Sequence, residues 1–524
     1  MRPLFLTLFL LGTSICLSQP LMDVAYKSDQ HVGGGFLFGN AYSSFIFVDT
    51  AYLVSGYTLV DDGSPFLRER GWFCVLDTSG NIIRQKVLGD TLRNMKTTRI
   101  KSTVTQDGHY VCTGENDNNS CFVLWLDQYG ETIKYHEFYP DSSDAILFWS
   151  YDFHLFDDES YLVLAYETDG SKDQQTVIIL SDSSGNEIWR KRHSNPNVDR
   201  TYGFSILQGR NDEIIIAGVA ESGSPSSNNP LYKSQIWIFE IDSIGNKLWE
   251  YLSPTSRYLS PSISTVLQNG DIIIPGWEAF VRQDRLPQFF LRYKPFVGRF
   301  DMAKKELVWG TSIGKAWFST FTMCAEKDNG DILAWGNGRI EIPGDTLFSI
   351  GQLATFSPFG DSLASQPILH YWEQQPDSFY KQAYYTSKIE ILPDKSIMLA
   401  GVVEDLDRNS ENYGVWAWLV RTDSNGCQNP DCFTVGIEKQ PETGVRLGTF
   451  PNPVTTWMTL YAAAPLSHPA SIKLWNLNGQ FVGEQKAQAG EQEWHWDMFE
   501  LSAGIYVIEM EINGQRWAQK VIKR

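Results

Sequence analysis

The chain has 524 residues, of which 42% are hydrophobic, 14% aromatic and 20% charged, and its formal net charge is −19 at pH 7. This composition excludes a disordered chain, and the length predicts two to four domains. The negative charge argues against nucleic acids and anionic membranes as partners, because both carry charge of the same sign.

The first predicted element is a signal peptide at residues 1–18. Arg2 precedes an apolar run at residues 4–17, and the small residue Ser18 follows it. The run is too short to span a bilayer, so we expect a cleavable secretory signal rather than a transmembrane segment. Cys16 raises the alternative of a lipoprotein signal, but cleavage after Ser18 fits the flanking residues better.

A short apolar strand after a polar turn recurs seven times along the body of the chain. Six copies end in glycine. The third copy ends in Ala165-Tyr166 instead. The copies occupy residues 49–56, 107–114, 158–166, 211–218, 269–276, 329–336 and 393–401.

A second pattern alternates with the first, and consists of a strand that enters and leaves an Asp-x-x-Gly turn. The Asp side chain can accept backbone N–H groups, and the Gly can adopt positive φ, so two strands can pair across the turn. Trp189, Trp249 and Trp309 follow the turn and are expected to pack between neighbouring sheets. The clear copies occupy residues 76–81, 126–131, 181–189 and 241–249, and weaker copies occupy residues 300–309, 356–361 and 422–427.

These alternating patterns predict an all-β chain with four strands in each of seven units. Seven such units between residues 19 and 440 are typical of a seven-bladed β-propeller. A pair of β-sandwiches would not explain one period along the whole body. Two ways of closing the ring stay open: residues 20–40 add a strand to the last blade, or each blade is contiguous.

The Asp-x-x-Gly-x-x-x-Trp pattern at Asp182–Trp189 is similar to the repeats of quinoprotein-like bacterial β-propellers. Its turn is one residue shorter than the quinoprotein form, and no set of quinone ligands is present. The resemblance therefore implies a fold and no cofactor.

No catalytic residue or metal ligand can be chosen from the sequence. The eight His residues lack metal-binding spacing, and the acidic clusters lack the calcium-loop pattern, although a weak calcium site stays open. The string Gly310-Thr311-Ser312-Ile313-Gly314 matches a nucleophile elbow, but it is expected on an outer strand rather than at a strand–helix turn. Whether the chain is an enzyme is left open, with a non-enzymatic role favoured.

Ligand binding is expected on the face that carries the long connections between second and third strands. Loops on a rigid scaffold are common binding sites, and exposed aromatic rings can stack on sugars or anchor a protein. The alternative is ordinary core packing. The candidate contact residues near this face are Trp149, Trp277, Tyr293 and Trp372.

Two of the seven cysteines are predicted to form a disulfide. Cys427 and Cys432 flank a loop that contains Pro430, and an exported protein can form such bonds. Buried thiols are the favoured state of the other mature cysteines, and their pairing stays open; these are Cys74, Cys112, Cys121 and Cys324.

After a polar linker at residues 441–447, residues 448–524 are predicted to form a small β-sandwich of hairpins. The order of its motifs resembles the type A C-terminal sorting domain of the type IX secretion system of Bacteroidetes. The motif residues are Pro451, Asn452, Pro453, Gly479, Gly504, Tyr506, Lys520 and Lys523. The resemblance implies recognition by the type IX machinery, export across the outer membrane, removal of the tail, and attachment to surface lipopolysaccharide or release.

The sequence thus predicts an exported β-propeller, secreted or on the cell surface, that binds glycans or proteins without catalysis. The alternative is an extracellular hydrolase or lyase that acts on polysaccharide, because propellers also carry such activities and the fold alone does not decide.

Overall fold

The structure is a computed structural model, and it is all-β. The described residues form thirty-six strands and no helix. The chain divides into two compact units, Met1–Asp431 and Cys432–Arg524. The residues that the structure describes are 22–26, 41–48, 51–60, 68–88, 95–116, 118–141, 147–168, 174–223, 233–255, 258–281, 291–314, 319–341, 347–368, 382–405, 414–427, 447–450, 454, 456–462, 466–476, 480–502, 504–512 and 515–523. The predicted signal peptide at 1–18 and most of the linker at 441–447 lie outside them.

The first unit begins with β1 (Met22–Tyr26) and continues with seven groups of consecutive antiparallel strands. The groups are β2 (Ala41–Val48), β3 (Ala51–Val60), β4 (Arg68–Asp77), β5 (Ile82–Val87); β6 (Met95–Val104), β7 (Tyr110–Asn116), β8 (Ser120–Leu126), β9 (Thr132–Phe138); β10 (Leu147–Leu155), β11 (Tyr161–Thr168), β12 (Gln174–Ser181), β13 (Glu187–His193); β14 (Arg200–Gln208), β15 (Ile214–Ser222), β16 (Lys233–Ile241), β17 (Lys247–Leu252); β18 (Tyr258–Pro261), β19 (Thr265–Val266), β20 (Ile272–Val281), β21 (Leu291–Asp301), β22 (Glu306–Ser312); β23 (Thr320–Glu326), β24 (Ile332–Glu341), β25 (Leu347–Phe356), β26 (Ser362–Ile368); and β27 (Gln382–Ile391), β28 (Ile397–Asp405), β29 (Gly414–Thr422).

Each group is a sheet whose strands lie in chain order. In the fifth group, β18 and β19 are two parts of the first strand, and both pair with β20. A single parallel bridge between Gln174 and Arg200 joins the third and fourth groups into one eight-stranded sheet. The seventh group has three strands of its own, and β1 completes it by pairing antiparallel with β29. Of the two closures left open by the sequence, the structure therefore has the one in which the N-terminal region adds a strand.

The first strands of successive groups contact one another in a closed series. The order of contact is β2, β6, β10, β14, β19, β23 and β27, and β27 contacts β2 again. The amide of Ser264 donates to Ser205 Oγ at 3.0 Å between the fifth and fourth groups. Lys388 Nζ of the seventh group donates to the Phe45 carbonyl of the first. The series thus closes through direct hydrogen bonds.

In four of the groups, the recurrent glycine of the first pattern lies so close to the backbone of the first strand that a Cβ atom would overlap it. At Gly336, beside the register shift of β23 between Phe321 and Met323, a Cβ atom would lie 2.0 Å from the Thr320 carbonyl oxygen. No real Cβ approaches a backbone atom so closely. The corresponding distances are 1.8 Å at Gly218, 2.1 Å at Gly276 and 2.3 Å at Gly401.

The Asp-x-x-Gly turn has the hydrogen bonds that the sequence predicts. Asp182 Oδ1 accepts the amides of Ser184 at 2.9 Å and Asn186 at 2.8 Å, and Gly185 has φ +87°. The side-chain amide of Asn186 also donates to Asp182 Oδ2 at 2.9 Å. This side-chain bond first, and then the backbone bonds, hold the pKa of Asp182 below its usual value. The carboxylate therefore stabilises the hairpin in its charged form.

The turn also forms the contact between neighbouring groups. Trp189 Nε1 donates to the Ser243 carbonyl at 3.0 Å, and its ring occupies the space beside Gly245 in the next turn. The prediction that the tryptophans after the turn pack between sheets is confirmed. The other two contacts are Trp309 Nε1 to the Pro358 carbonyl at 3.1 Å, and Trp249 stacked on Phe300 with ring centroids 6.1 Å apart.

A buried histidine makes the stability of the first unit depend on pH. His193 is 7% exposed, and its ring centroid lies 5.0 Å from that of Phe239. Burial, helped by the charge of Lys247, lowers the pKa of His193 to about 4. The unfolded state therefore takes up a proton near the usual histidine pKa, whereas the folded state resists it until about pH 4.

We expect stability to be lost as pH falls from about 6.5 to about 4, and His193→Phe to remove this part of the loss. The free energy of unfolding, measured by denaturant titration at pH 7 and pH 4.5, should fall less in the variant than in the wild type. Equal losses in the two proteins would contradict the assignment.

The second unit contains two antiparallel sheets around one core. The strands are β30 (Leu447–Phe450), β31 (Trp457–Ala462), β32 (Ala470–Asn476), β33 (Phe481–Ala487), β34 (Glu493–Asp497), β35 (Gly504–Ile512) and β36 (Gln515–Lys523). The three-stranded sheet has the order β30–β31–β34, and the four-stranded sheet has the order β33–β32–β35–β36. Met458 and Trp496 of one sheet pack with Ile472 and Ile508 of the other.

Candidate functional site

Five aromatic rings come together where the third and fourth groups meet. The stack of Tyr166 on Tyr202, with centroids 5.1 Å apart, joins the two groups. Trp149 lies against Tyr166 at 6.4 Å, and Tyr151 lies edge-on to Phe204 at 5.3 Å. We call Trp149, Tyr151, Tyr166, Tyr202 and Phe204 the aromatic cluster.

The cluster depends on bulges in the two first strands. The register of β10 shifts between Ser150 and Asp152, and that of β14 shifts between Gly203 and Ser205. Tyr151 and Phe204 are the extra residues at these shifts, and a bulge redirects the side chain that it carries. In other groups the extra residue is small and polar; examples are Ser43, Thr322 and Ser387.

The exposure of the cluster increases from a buried base to an open rim. Tyr166 is 4% exposed, Tyr151, Tyr202 and Phe204 are half-buried, and Trp149 is 37% exposed. A ligand could therefore contact the Trp149 ring and the edges of the half-buried rings without a change in the fold.

Hydrogen-bonding groups accompany the rings. Tyr202 Oη donates to Gln174 Oε1. Burial raises the pKa of both Tyr166 and Tyr202, so their phenols stay protonated at neutral pH and remain hydrogen-bond donors. Near the same end of β11, Glu167 accepts from Arg192 Nε at 2.8 Å. The site thus combines apolar ring faces with fixed polar groups.

The structure divides the four candidate aromatic residues between separate places. Trp149 belongs to the aromatic cluster. Trp277 and Tyr293 contact each other edge-to-face with centroids 4.3 Å apart, and they lie in β20 and β21 rather than in a loop. These strands continue beyond the ends that the sequence suggested. Trp372 lies outside the described residues.

The sequence did not predict Tyr151, Tyr166, Tyr202 and Phe204 as contact residues. The sequence did contain a signal for Tyr151 and Phe204. When the repeats are aligned, these two bulge positions carry an aromatic residue, whereas the bulge positions of β2, β23 and β27 carry Ser or Thr. The cluster as a whole could not be predicted from the sequence, because its rings meet through packing between the third and fourth groups.

The structure also shows where the serine of the Gly-x-Ser-x-Gly string lies and whether side chains gather to bind a metal ion. Ser312 ends β22, the outer strand of the fifth group, and its hydroxyl donates to Glu278. Within the described ranges, no three His, Cys, Asp or Glu side chains gather in a way that could hold a metal ion.

The described cysteines are all buried. Burial raises the pKa of Cys112 to about 12, and it also raises the pKa of Cys121 and Cys324, which carry free thiols. Cys427 is 2% exposed, while Cys432 lies outside the described residues, so their disulfide stays a prediction.

The tail motifs are partly described. Tyr506 is 7% exposed, and its hydroxyl donates to the Ser502 carbonyl at 2.8 Å, while Gly504 begins β35. Lys523 is 9% exposed and forms a parallel bridge with Val454, so the terminal strand contributes to the fold of the tail. Lys520 lies in β36. Pro451, Asn452, Pro453 and Gly479 lie outside the described residues.

A family model described as a secretion system C-terminal sorting domain matches residues 448–524. Residues 448–524 match the sorting tail of the type IX secretion system. The sorting domain marks the chain for export by type IX secretion, either to the cell surface or into the medium, and implies interaction with the secretion machinery. In the part of the chain that the structure describes, no helix is long and apolar enough to cross a membrane.

No curated protein sequence matches the chain significantly. Similar solved structures include a Bacteroides caccae protein of unknown function (10% identity, 57% of this chain and 90% of that chain, TM-score 0.32). Puromycin hydrolase matches at 10% identity over 86% of this chain and 62% of its own length, with TM-score 0.45. A Synechocystis apocarotenoid oxygenase mutant matches at 14% identity over 60% and 70%, with TM-score 0.37. Scores this low assign no activity to the chain.

Proposed function

We propose that the first unit is a seven-bladed β-propeller, that the sorting domain is a β-sandwich, and that the propeller acts outside the cell. The seven strand groups, the addition of β1 to the last group and the closed series of first-strand contacts support the propeller. The shared core of the two tail sheets supports the sandwich.

The proposed activity of the propeller is glycan binding without catalysis, and the aromatic cluster is the observation that supports it. Aromatic faces carry negative charge density and attract the C–H faces of sugar rings, while hydroxyl groups need fixed donors and acceptors. Trp149 and Phe204 offer the rings, and Gln174 with the phenol of Tyr202 offers the polar groups. Export to the cell surface would bring this site into contact with extracellular polysaccharide.

The test is glycan-array binding by the full-length secreted protein and by Trp149→Ala and Phe204→Ala. We expect each substitution to weaken binding to the selected glycan by about fivefold to a hundredfold, since a central aromatic contact contributes about 1–3 kcal/mol. Phe359→Ala is the matched control, because Phe359 is an aromatic residue of the sixth group that is 74% exposed.

Four outcomes would contradict the proposal. Glycan binding that persists in both cluster variants would place the site elsewhere, as would its loss in Trp277→Ala alone. Release of shortened sugars from the bound glycan would show a polysaccharide hydrolase or lyase. Binding to proteins but to no glycan would make a protein the ligand.

A further inference from the structure

Two large aromatic side chains lie exposed at one end of the three-stranded sheet of the sorting domain. Trp457 is 58% exposed and Phe499 is 67% exposed. Trp457 begins β31 and pairs with Asp497, the last residue of β34. Phe499 follows in a turn, where its amide donates to Asp497 Oδ1 at 2.9 Å. The amide of Met498 donates to the Thr456 carbonyl at 2.7 Å and so fixes this turn against the start of β31.

The fold of the domain does not require these two rings. Met458 and Leu460 of β31, with Trp494 and Trp496 of β34, already fill the core from this sheet. Side chains alternate between the two faces of a strand, so Trp457 lies on the face opposite to Met458. A single exposed hydrophobic residue is normal on a soluble domain, whereas two large aromatic residues at one end of one sheet favour a protein-contact surface.

The terminal strand β36 is less exposed than its basic motif residues, Lys520 and Lys523, would suggest. Val521 is fully buried and Lys523 is 9% exposed, so both positions serve the packing of the domain. A partner that recognises the folded domain must therefore contact other residues as well. Among the residues of the domain whose side chains the structure describes, the exposed large hydrophobic residues are Trp457, Phe499 and Phe481.

We propose that Trp457 and Phe499 form the surface by which the type IX secretion machinery holds the folded sorting domain. We assign this partner to the surface because the sorting tail implies interaction with the secretion machinery. Asp497 and Glu500 lie exposed beside the two rings and carry negative charge. The partner surface should therefore be an apolar socket with basic residues at its edge.

The experiment compares full-length chains in the exporting bacterium. The double variant Trp457→Ser/Phe499→Ser should lower the surface and secreted fraction at least tenfold, while full-length protein accumulates in the periplasm with a protease-resistant tail. The conservative pair Trp457→Phe/Phe499→Tyr should restore export. Phe481→Ser is the matched control, because Phe481 is 55% exposed on the edge strand β33 of the other sheet.

Normal export of the Ser double variant would overturn the proposal. Proteolysis of its tail in the periplasm would assign the two rings to the stability of the domain instead. Normal export together with a changed oligomeric state would place a second copy of the chain on this surface, and would also overturn the proposal.

Discussion

Deletion of residues 448–524 is expected to abolish delivery to the surface and to leave the rest of the chain folded in the periplasm. The hydrophobic core of the tail forms one cluster, and no residue of the first unit belongs to it. The seventh group of strands is completed by β1 from the N-terminal region, so it does not need the tail. Recognition and folding are thus carried by separate cores, and loss of one should spare the other.

Fractionation into surface, medium and periplasm measures the loss, and circular dichroism of the periplasmic protein measures its fold. A second truncation, of residues 520–524, should also impair export, because it removes the buried Val521 and Lys523 from the tail. That truncation should leave a protease-sensitive tail on a folded first unit. Normal surface levels of the 448–524 deletion would contradict the sorting role.

The repeats of the sequence were sufficient to predict how strands pair within each group. Asp182 and Gly185 determine their hairpin by local hydrogen bonds and backbone freedom, and such short-range chemistry is readable from sequence. The sorting domain could also be predicted from the sequence, since its motifs follow one another in a fixed order.

Interactions between strands that are distant in sequence were harder to predict. The sequence left open whether residues 20–40 close the ring. The edge strand Met22–Tyr26 pairs with a strand that is distant in sequence, and no short turn between the two indicates this pairing. It also placed Trp277 and Tyr293 near a loop, whereas both lie in long strands that pair beyond the repeated core. Only Trp149 of the aromatic cluster was predicted, because the register shifts in β10 and β14 determine which rings meet.

Gly336→Ala should destabilise the first unit by about 3 kcal/mol, since it adds a methyl group where no space exists. The new Cβ would lie 2.0 Å from the Thr320 carbonyl and 2.7 Å from the Phe321 Cα. Both are backbone atoms, so no side-chain rotation relieves the overlap. Strand β24 would have to move away from β23, and the hydrogen bonds of this pair would weaken.

Ala165→Gly is the matched control, because Ala165 occupies the equivalent position in the third group, opposite Ser150. There the methyl group is already accommodated, and its removal should cost only about 0.5–1 kcal/mol through the greater freedom of the unfolded chain. Denaturant titration of the full-length protein at neutral pH measures both effects. A loss at Gly336→Ala no larger than that at Ala165→Gly would show that the two strands can separate freely, and that the close backbone contact does not require glycine.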